Sequence, residues 1–353
     1  MRLRAIGREA WRNVITGTAA TRRTAVVAAA AVSLLATADL IATDRLAERA
    51  KDFVRAGASI SIVTARERVD GARCDRLAQL PGVSAAGALR STARQLAPTT
   101  LERSPIPVSD VSAGFIAVIG ASTRAAGILL GPEAVDALGL TSADVLATTT
   151  RTVRVGGDYL YPEDGRRPGL SYVALAPAIA DQPFDECWID VWPAQDMTGA
   201  LLSTVLLASD DEDPPTIVQL NPTMGRSFDG PSLFAERITR AAGPCAALIG
   251  LVLGFFGVRS RRLAFASALH AGASRGDLLS IVGAETLAWG VVSAVLALPV
   301  VALLGAVFAA GAESSLVIGV PLVCALWLSG FVGQWWGVRT IREKHLFRYF
   351  KER

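Results

Sequence analysis

Four long apolar segments constrain the fold of this chain more than any other feature. Residues 24–43 contain one charged residue, Asp39, and residues 241–258 contain none. Between 291 and 338 the only charge is Glu313, and 280–310 and 315–338 are long enough for two membrane passages. A helix that crosses a bilayer needs about 20 such residues. With 51% hydrophobic residues, the chain is predicted to have four transmembrane helices, the first an uncleaved anchor and not a signal peptide.

The charges that flank these segments predict the orientation. Residues 1–23 contain six arginines and one acid, and the loop 259–279 and the tail 339–353 are also basic, whereas residues 44–240 hold 19 basic and 25 acidic residues. Because basic flanks remain in the cytoplasm, both termini and the loop are predicted to be cytoplasmic. The net charge of +3 then reflects membrane topology, and no nucleic-acid partner is expected. Only three of the 35 basic residues are lysine, and alanine is abundant. This composition is typical of a high-GC genome, which favours a bacterial source and hence the cytoplasmic membrane.

Residues 44–240 are predicted to form an extracytoplasmic α+β domain inserted between the first and second spans. Short runs rich in β-branched residues predict strands, at 59–63, 115–120, 152–155, 172–176, 188–192 and 216–220. Proline at the first helical position predicts a helix that closes near Gly139, and further helices are expected over about 70–80 and 194–207. Cys74 and Cys187 lie in this domain and could form a disulfide or stay reduced.

Helical spacing predicts two kinds of membrane contact. Apolar residues and arginines alternate at helical spacing over 1–23, which indicates an amphipathic helix on the inner leaflet or, alternatively, an extension of the first span. The second and fourth spans carry small residues at recurrent positions: Gly250, Gly254, Gly257, Ser329, Gly333 and Gly337. Such spacing allows close helix packing, either within one subunit or between two.

The segment His270–Asp277, HAGASRGD, contains the Gly-x-Ser-x-Gly pattern of a serine hydrolase. In that fold the serine follows a strand, but residues 261–270 show no strand alternation, and the only other histidine is His345. The local alternative is a helix–turn–helix, in which Gly272 ends one helix and Ser274 and Asp277 form a capping box for the next. We therefore predict a cytoplasmic elbow here, with no catalytic residue.

Other residues that could carry chemistry are few. Lysine occurs only at 51, 344 and 351, never after a glycine, so the chain has no P-loop and is not expected to be an enzyme or to hold a cofactor. No cluster of histidine and cysteine has metal-ligand spacing. Asp39 and Glu285 lie near the ends of predicted spans, where acids are functional candidates. A hydrated position at the membrane surface explains them equally well.

The order of these features resembles the FtsX-like permeases of ABC systems, in their MacB-type form. Members of that family have one span, a large external domain and then three spans. The local similarities are Arg261-Arg262, Gly272-Ala273-Ser274, Glu285 with Gly290, Leu80-Pro81-Gly82-Val83, and the segment 127–140. The chain departs from the family at Leu263-Ala264-Phe265, where Glu-Ile is usual, and in its tail, both on the predicted cytoplasmic face.

The resemblance implies a permease subunit of the mechanotransmission type, surrounded by lipids and paired with a second copy or a paralogue. A separate cytoplasmic ATPase, which carries ATP and magnesium, then moves the external domain and drives export or extraction of a peptide, antibiotic or lipid-like substrate. Contact with this ATPase is expected in the 259–279 loop, through Arg259, Arg261, Arg262, His270, Gly272, Ser274, Arg275 and Asp277. An alternative for the arginines is that they only anchor the loop on the cytoplasmic side. A separate alternative for the function is a non-transporting regulatory or immunity membrane protein of the same fold.

Overall fold

The structure is a computed structural model that describes residues 3–123, 125–139, 145–208, 213–308 and 311–342. The chain divides into two compact units. The membrane unit comprises Met1–Ala47 and Pro231–Arg353, and the sheet unit comprises Glu48–Gly230. The sheet unit is therefore an insertion in the sequence of the membrane unit, within the range 44–240 predicted for the external domain.

The described residues form helices and strands in the following order. The helices are α1 (Leu3–Ile15), α2 (Thr21–Arg55), α3 (Gly71–Arg76), α4 (Phe115–Val118), α5 (Pro132–Leu138), α6 (Thr198–Ser203), α7 (Gly230–Glu236), α8 (Ala242–Arg259), α9 (Arg262–His270), α10 (Arg275–Val307) and α11 (Gly311–Thr340). The strands are β1 (Ile60–Val69), β2 (Val83–Leu96), β3 (Ile106–Val111), β4 (Ser122–Thr123), β5 (Ile128–Leu130), β6 (Val145–Ala147), β7 (Thr152–Asp158), β8 (Ala174–Pro177), β9 (Phe184–Val191) and β10 (Thr216–Gln219).

Four helical segments in the described part of the chain are long and apolar enough to cross a membrane: Thr21–Arg55, Ile238–Arg259, Arg275–Val307 and Ser315–Thr340. They contain the first, second and fourth predicted spans. The third, predicted over 280–310, begins earlier and ends at Val307, and residues 309–310 lie outside the described residues. Helix α2 continues past residue 43, because the polar residues that follow are good helix formers without glycine or proline. Helix α10 begins inside the predicted loop 259–279, which also contains α9. Of the basic tail predicted over 339–353, residues 343–353 lie outside the described residues.

The small residues of α8 and α11 lie against each other. A Cβ atom on Gly250 or Gly254 would overlap backbone carbonyls of Leu326 and Gly330, and one on Gly333 would overlap the carbonyl of Leu251. Gly337 faces Val258 of α8. The Ser329 hydroxyl donates to the Leu326 carbonyl of its own helix at 2.9 Å. Gly257, by contrast, has open space beside it. The glycines thus allow two helices of one chain to touch backbone to backbone, without a second subunit.

The sheet unit is built on one mixed sheet. The strand order is β10-β1-β9-β2-β3-β8-β5-β7-β4, and outside this order β6 pairs with Thr152–Arg154 of β7. Most neighbours are antiparallel, but β3–β8 and β5–β7 are parallel pairs. Trp188 of β9 is fully buried in the core, and its ring meets that of Phe115 edge to face, with ring centroids 5.1 Å apart.

Most of the predicted elements of this unit overlap observed ones, with one error among the strands. The segment 115–120 was expected to be a strand but forms the short helix α4, in which Phe115 and Val118, one helical turn apart, are the buried residues. Strands β2 to β6 were not predicted, although β2 lies between β9 and β3 near the middle of the sheet. The predicted helix ending near Gly139 corresponds to α5, whose C-cap is Gly139 in the left-handed region.

A disulfide joins Cys74 of α3 to Cys187 of β9, with Cα atoms 5.9 Å apart. Both residues are fully buried. The Asp70 carboxylate caps α3 by accepting a hydrogen bond from the Arg73 N–H at 3.0 Å. The cross-link therefore fixes a short, capped helix onto one of the central strands.

Candidate coupling site

The segment HAGASRGD forms the turn between α9 and α10. The chain leaves α9 through Gly272, which has φ +91°, a conformation that glycine adopts without strain. The Ala273 N–H donates to the Ala268 carbonyl and the Gly272 N–H to the Leu269 carbonyl, each at 3.0 Å, which satisfies the last carbonyls of α9. We call α9 together with residues 271–274 the elbow.

Ser274 begins α10 as its N-cap. Its hydroxyl oxygen accepts from the Asp277 N–H at 3.1 Å, and the Asp277 carboxylate accepts from the Ser274 N–H at 3.1 Å. The hydroxyl proton goes to the same carboxylate, with 2.7 Å between the oxygens. The serine is thus engaged in a reciprocal cap at a helix start. His270 is exposed on the last turn of α9, and His345 lies outside the described residues.

Replacing Ser274 by alanine is expected to destabilise the protein by about 0.5–2 kcal/mol, because the N-cap hydrogen bond is lost. Thermal unfolding of the purified protein in detergent measures this. Ser280→Ala is the matched control, since Ser280 is exposed on the same helix and its hydroxyl donates to the Gly276 carbonyl of that helix at 2.9 Å. If the two variants unfold alike, Ser274 does not act as a cap.

A small apolar core lies beneath the elbow. Phe265, Ala266 and Leu269 of α9 are buried against residues from the adjacent ends of α8, α10 and α11: Val258, Leu278, Val282, Val338 and Ile341. The Arg275 guanidinium also reaches the Ile341 carbonyl, at 3.5 Å. Displacement of α9 would therefore disturb the ends of three long helices together.

Beside this core, Glu285 holds a buried polar cluster together. The Arg261 guanidinium, just before α9, bonds one Glu285 oxygen at 2.7 Å, and the Asn13 amide of α1 donates to the other at 2.8 Å. The side chains of Arg261 and Glu285 are only 14% and 7% exposed. Arg261 also lies over the Phe265 ring, 4.8 Å from its centroid. We call Asn13, Arg261 and Glu285 the buried triad.

Thr286, which follows Glu285 in α10, extends this polar network to α11. The Thr286 hydroxyl donates to the Gln334 side-chain oxygen at 2.6 Å, and the Trp327 indole N–H donates to the Thr286 carbonyl at 3.2 Å. Both Thr286 and Gln334 are buried. On the other side, Ile6 and Ala10 of α1 pack on Ile281 of α10. Hydrogen bonds and packing thus connect α9 through α10 to both α1 and α11.

The residues expected to contact a partner differ in their exposure. Arg261 forms an ion pair with Glu285. Arg259, at the end of α8, and Arg262, at the start of α9, are partly exposed. Ser274 and Arg275 are exposed. Asn13 and Gln334 were not identified from the sequence. Asn13 did carry a signal, because it follows Ile6 and Ala10 on the apolar face of an amphipathic helix, where a polar residue is unusual.

Asp39, the second acid near a span end, is buried as well. Its carboxylate pairs with Arg237, with 2.9 Å between Nε and Oδ1, and the two side chains are 9% and 21% exposed. The Arg237 guanidinium also lies 3.7 Å from the centre of the Phe234 ring and donates to the Phe234 carbonyl. Neither Asp39 nor Glu285 is therefore a hydrated end residue, because each is buried and paired with a partly buried arginine.

These features define a membrane protein whose helical unit contains a mixed-sheet insertion. Among solved structures, the chain is similar to the periplasmic region of MacB from Actinobacillus actinomycetemcomitans, with 10% identity, a TM-score of 0.35, and coverage of 47% of this chain and 91% of that one. It is also similar to a domain described as part of a permease protein from Porphyromonas gingivalis, with 13% identity, a TM-score of 0.33, and coverage of 49% and 94%. No protein-family model and no curated sequence matches the chain.

Proposed function

We propose that this chain is the permease subunit of a bacterial ABC complex of the FtsX-like, MacB type. In this proposal both termini and the elbow are cytoplasmic, and the sheet unit lies outside the cytoplasmic membrane. A separate ATPase binds ATP and magnesium and docks on the elbow. A second permease copy or a paralogue completes the complex, and ATP hydrolysis moves the sheet units to export or extract a peptide, antibiotic or lipid-like substrate.

The observation that carries the proposal is the link between the elbow and the buried triad. A force applied to α9 acts on Arg261, which directly precedes it, and Arg261 is bound to Glu285. Because an unpaired buried charge is strongly unfavourable, the pair resists separation, and the force passes to α10 and, through Asn13, to α1. A loop that served only as a connection would not need buried charges to attach it.

The exposed face of the elbow suits a docking partner. Its outward residues are small apart from His270: Ala264, Ser267, Ala271, Gly272 and Ser274. A surface of small side chains allows close backbone approach by a partner helix or groove. The opposite face of α9 is anchored in the apolar core described above. A docked partner would therefore exert its force on a helix that is fixed to the rest of the membrane unit.

Two properties of the sheet unit support its extracytoplasmic placement. Disulfides persist in oxidising compartments outside the cytoplasm, and this unit contains the Cys74–Cys187 bond. The range 44–240 also carries more acidic than basic residues, in contrast to the basic flanks of the spans. Basic flanks on the cytoplasmic side, together with an acidic domain between the first two spans, fit the proposed orientation.

Co-purification with an ATPase tests the proposal. The tagged chain is extracted from its native membrane, and we expect a nucleotide-binding subunit to be retained and its ATPase activity to depend on this chain. Ser267→Trp, on the exposed face of α9, should reduce the retained ATPase by about tenfold or more, because a bulky residue in an interface core disrupts packing worth about 2 kcal/mol.

The matched control is Thr18→Trp, an exposed position in the turn between α1 and α2, which should leave the retained ATPase unchanged. Equal losses in both variants would contradict docking on the elbow. If no nucleotide-binding subunit is retained by the unmodified chain, the transporter proposal is wrong, and a regulatory or immunity role for this fold replaces it.

A further inference from the structure

A groove of about 530 Å³ opens in the sheet unit at the beginning of β7. Its wall is mostly apolar and comes from three chain segments: Ala126–Ile128, which leads into β5; Arg151–Arg154, which leads into β7; and Ala176 and Pro177 at the end of β8. No residue of the elbow or the buried triad belongs to it. The groove is therefore a separate feature of the protein.

The groove occupies a position in the sheet where a strand is missing. Strand β5 lies between β8 and β7, but it contains only Ile128–Leu130. Its pairing with β8 ends at Leu129 opposite Leu175, and its pairing with β7 begins at Ile128 opposite Val155. Before Ile128 the chain turns toward β7, where the Ala125 N–H bonds the Gly156 carbonyl at 3.2 Å. Gly127 lies against the β7 backbone, where a Cβ atom would overlap the Arg154 carbonyl oxygen, and the groove is bounded by this turn, the start of β7 and the end of β8.

Backbone groups of both neighbours point into this gap. The Arg151 carbonyl accepts from the Thr148 N–H on the β6 side. Because peptide groups alternate in direction along a strand, those of Thr152 face the opposite side, toward the gap. On β8, the Ala178 N–H donates to the Val111 carbonyl of β3, so the Pro177 carbonyl also faces the gap. An extended chain entering here would find donors and acceptors of an open sheet edge.

Two arginines at the groove form no ion pair with any carboxylate among the described residues. Arg90, Arg166 and Arg167 of the same unit are each held by a carboxylate within 2.8 Å. In the part of the chain that the structure describes, neither Arg151 nor Arg154 makes an ion pair, although both line the groove. Guanidinium groups bind carboxylates strongly through charge-assisted hydrogen bonds. The groove therefore combines a strand-wide apolar slot with a site for negative charge.

We propose that this groove binds an extended peptide segment that carries a carboxylate, either an acidic side chain or the free C-terminus. The segment adds a strand beside the start of β7, its alternate side chains contact the apolar wall, and Arg151 and Arg154 bind the carboxylate. That this peptide is the transported substrate rests on the proposed function. The binding itself needs neither nucleotide nor ATPase.

Fluorescence anisotropy with the full-length protein in an uncharged detergent tests the binding. The probe is a fluorescein-labelled peptide, Val-Thr-Val-Thr-Glu-Glu, with a free C-terminal carboxylate. Arg154→Gln and Arg151→Gln should each weaken binding by about tenfold, the effect of losing one hydrogen bond to a charged group. Arg154→Lys, which retains the charge but not the fork geometry, should lose less. Arg66→Gln, an exposed arginine on the distant strand β1, is the matched control and should bind like the unmodified protein.

Two further probes decide between an added strand and other modes of binding. The same peptide N-methylated at alternate residues cannot donate to a sheet edge and should bind at least about tenfold more weakly. Oleate, an anionic amphiphile without peptide groups, should fail to displace the peptide. Equal binding of the methylated peptide, displacement by oleate, or equal effects of Arg154→Gln and Arg66→Gln would each overturn the proposal. Loss of ATPase retention with intact peptide binding would instead contradict only the proposed function.

Discussion

Replacement of Glu285 by alanine is expected to destabilise the membrane unit by about 3–5 kcal/mol, the effect of removing one partner from a buried ion pair. The Arg261 guanidinium would remain at its 14% exposed position without a counter-charge, and the Asn13 amide would lose its acceptor. Unfolding of the purified protein by SDS, in mixed micelles, measures the change. Trp289, buried one helical turn from Glu285, reports on this region by its fluorescence.

The double variant separates the charge effect from loss of packing. If the pair accounts for the loss, Arg261→Ala in the Glu285→Ala background should recover part of the stability, giving a coupling free energy of about 0.5–3 kcal/mol. Glu9→Ala is the matched control, since Glu9 and Arg12 form a glutamate–arginine pair on α1 whose side chains are 34% and 67% exposed. We expect less than about 1 kcal/mol there. Similar losses for Glu285→Ala and Glu9→Ala would show that the triad does not hold the elbow.

The membrane helices could be predicted because hydropathy alone decides them. A run of apolar residues long enough to cross a bilayer has few alternative folds, and each of the four expected spans overlaps an observed helix. Glu285 was identified as a candidate for the same reason, because an acid in an apolar helix requires a partner. Its partners depend on how α1 and α9 pack against α10, which a single sequence does not contain.

The sheet was harder to predict because its central strand lacks the usual composition. Strand β2, VSAAGALRSTARQL, is rich in alanine and contains glycine, both of which are depleted in strands. It forms because β9 and β3 pair with it on both sides and bury its first half. The segment FIAVIG has the opposite property: its composition favours a strand, but Phe115 and Val118 are buried on one face of a helical turn. In both cases tertiary packing overrides local preference.

Removal of the Cys74–Cys187 bond is expected to destabilise the sheet unit by about 4–5 kcal/mol if chain entropy dominates, and typically by 2–5 kcal/mol. The expected loss is large because the bond closes a loop with a sequence separation of 113 residues. Closing a longer loop removes more conformational entropy from the unfolded chain. Urea denaturation of the full-length protein in detergent, followed by tryptophan fluorescence and compared with and without reductant, measures the loss. Trp188 adjoins Cys187 and is fully buried, so it contributes to the change in fluorescence, together with the other six tryptophans of the chain.

The double variant Cys74→Ala/Cys187→Ala should unfold at nearly the same urea concentration as the reduced protein, and reductant should not change it further. Cys245→Ala, which removes a free, exposed cysteine of α8, is the matched control and should retain the full response to reductant. Titration of thiols under denaturing conditions gives an independent check. Two of the four cysteines should react before reduction and all four afterwards, because Cys245 and Cys324 are free. Four reactive thiols in protein purified without reductant would mean that the bond does not form, and would remove one of the two supports for placing the sheet unit outside the cytoplasm.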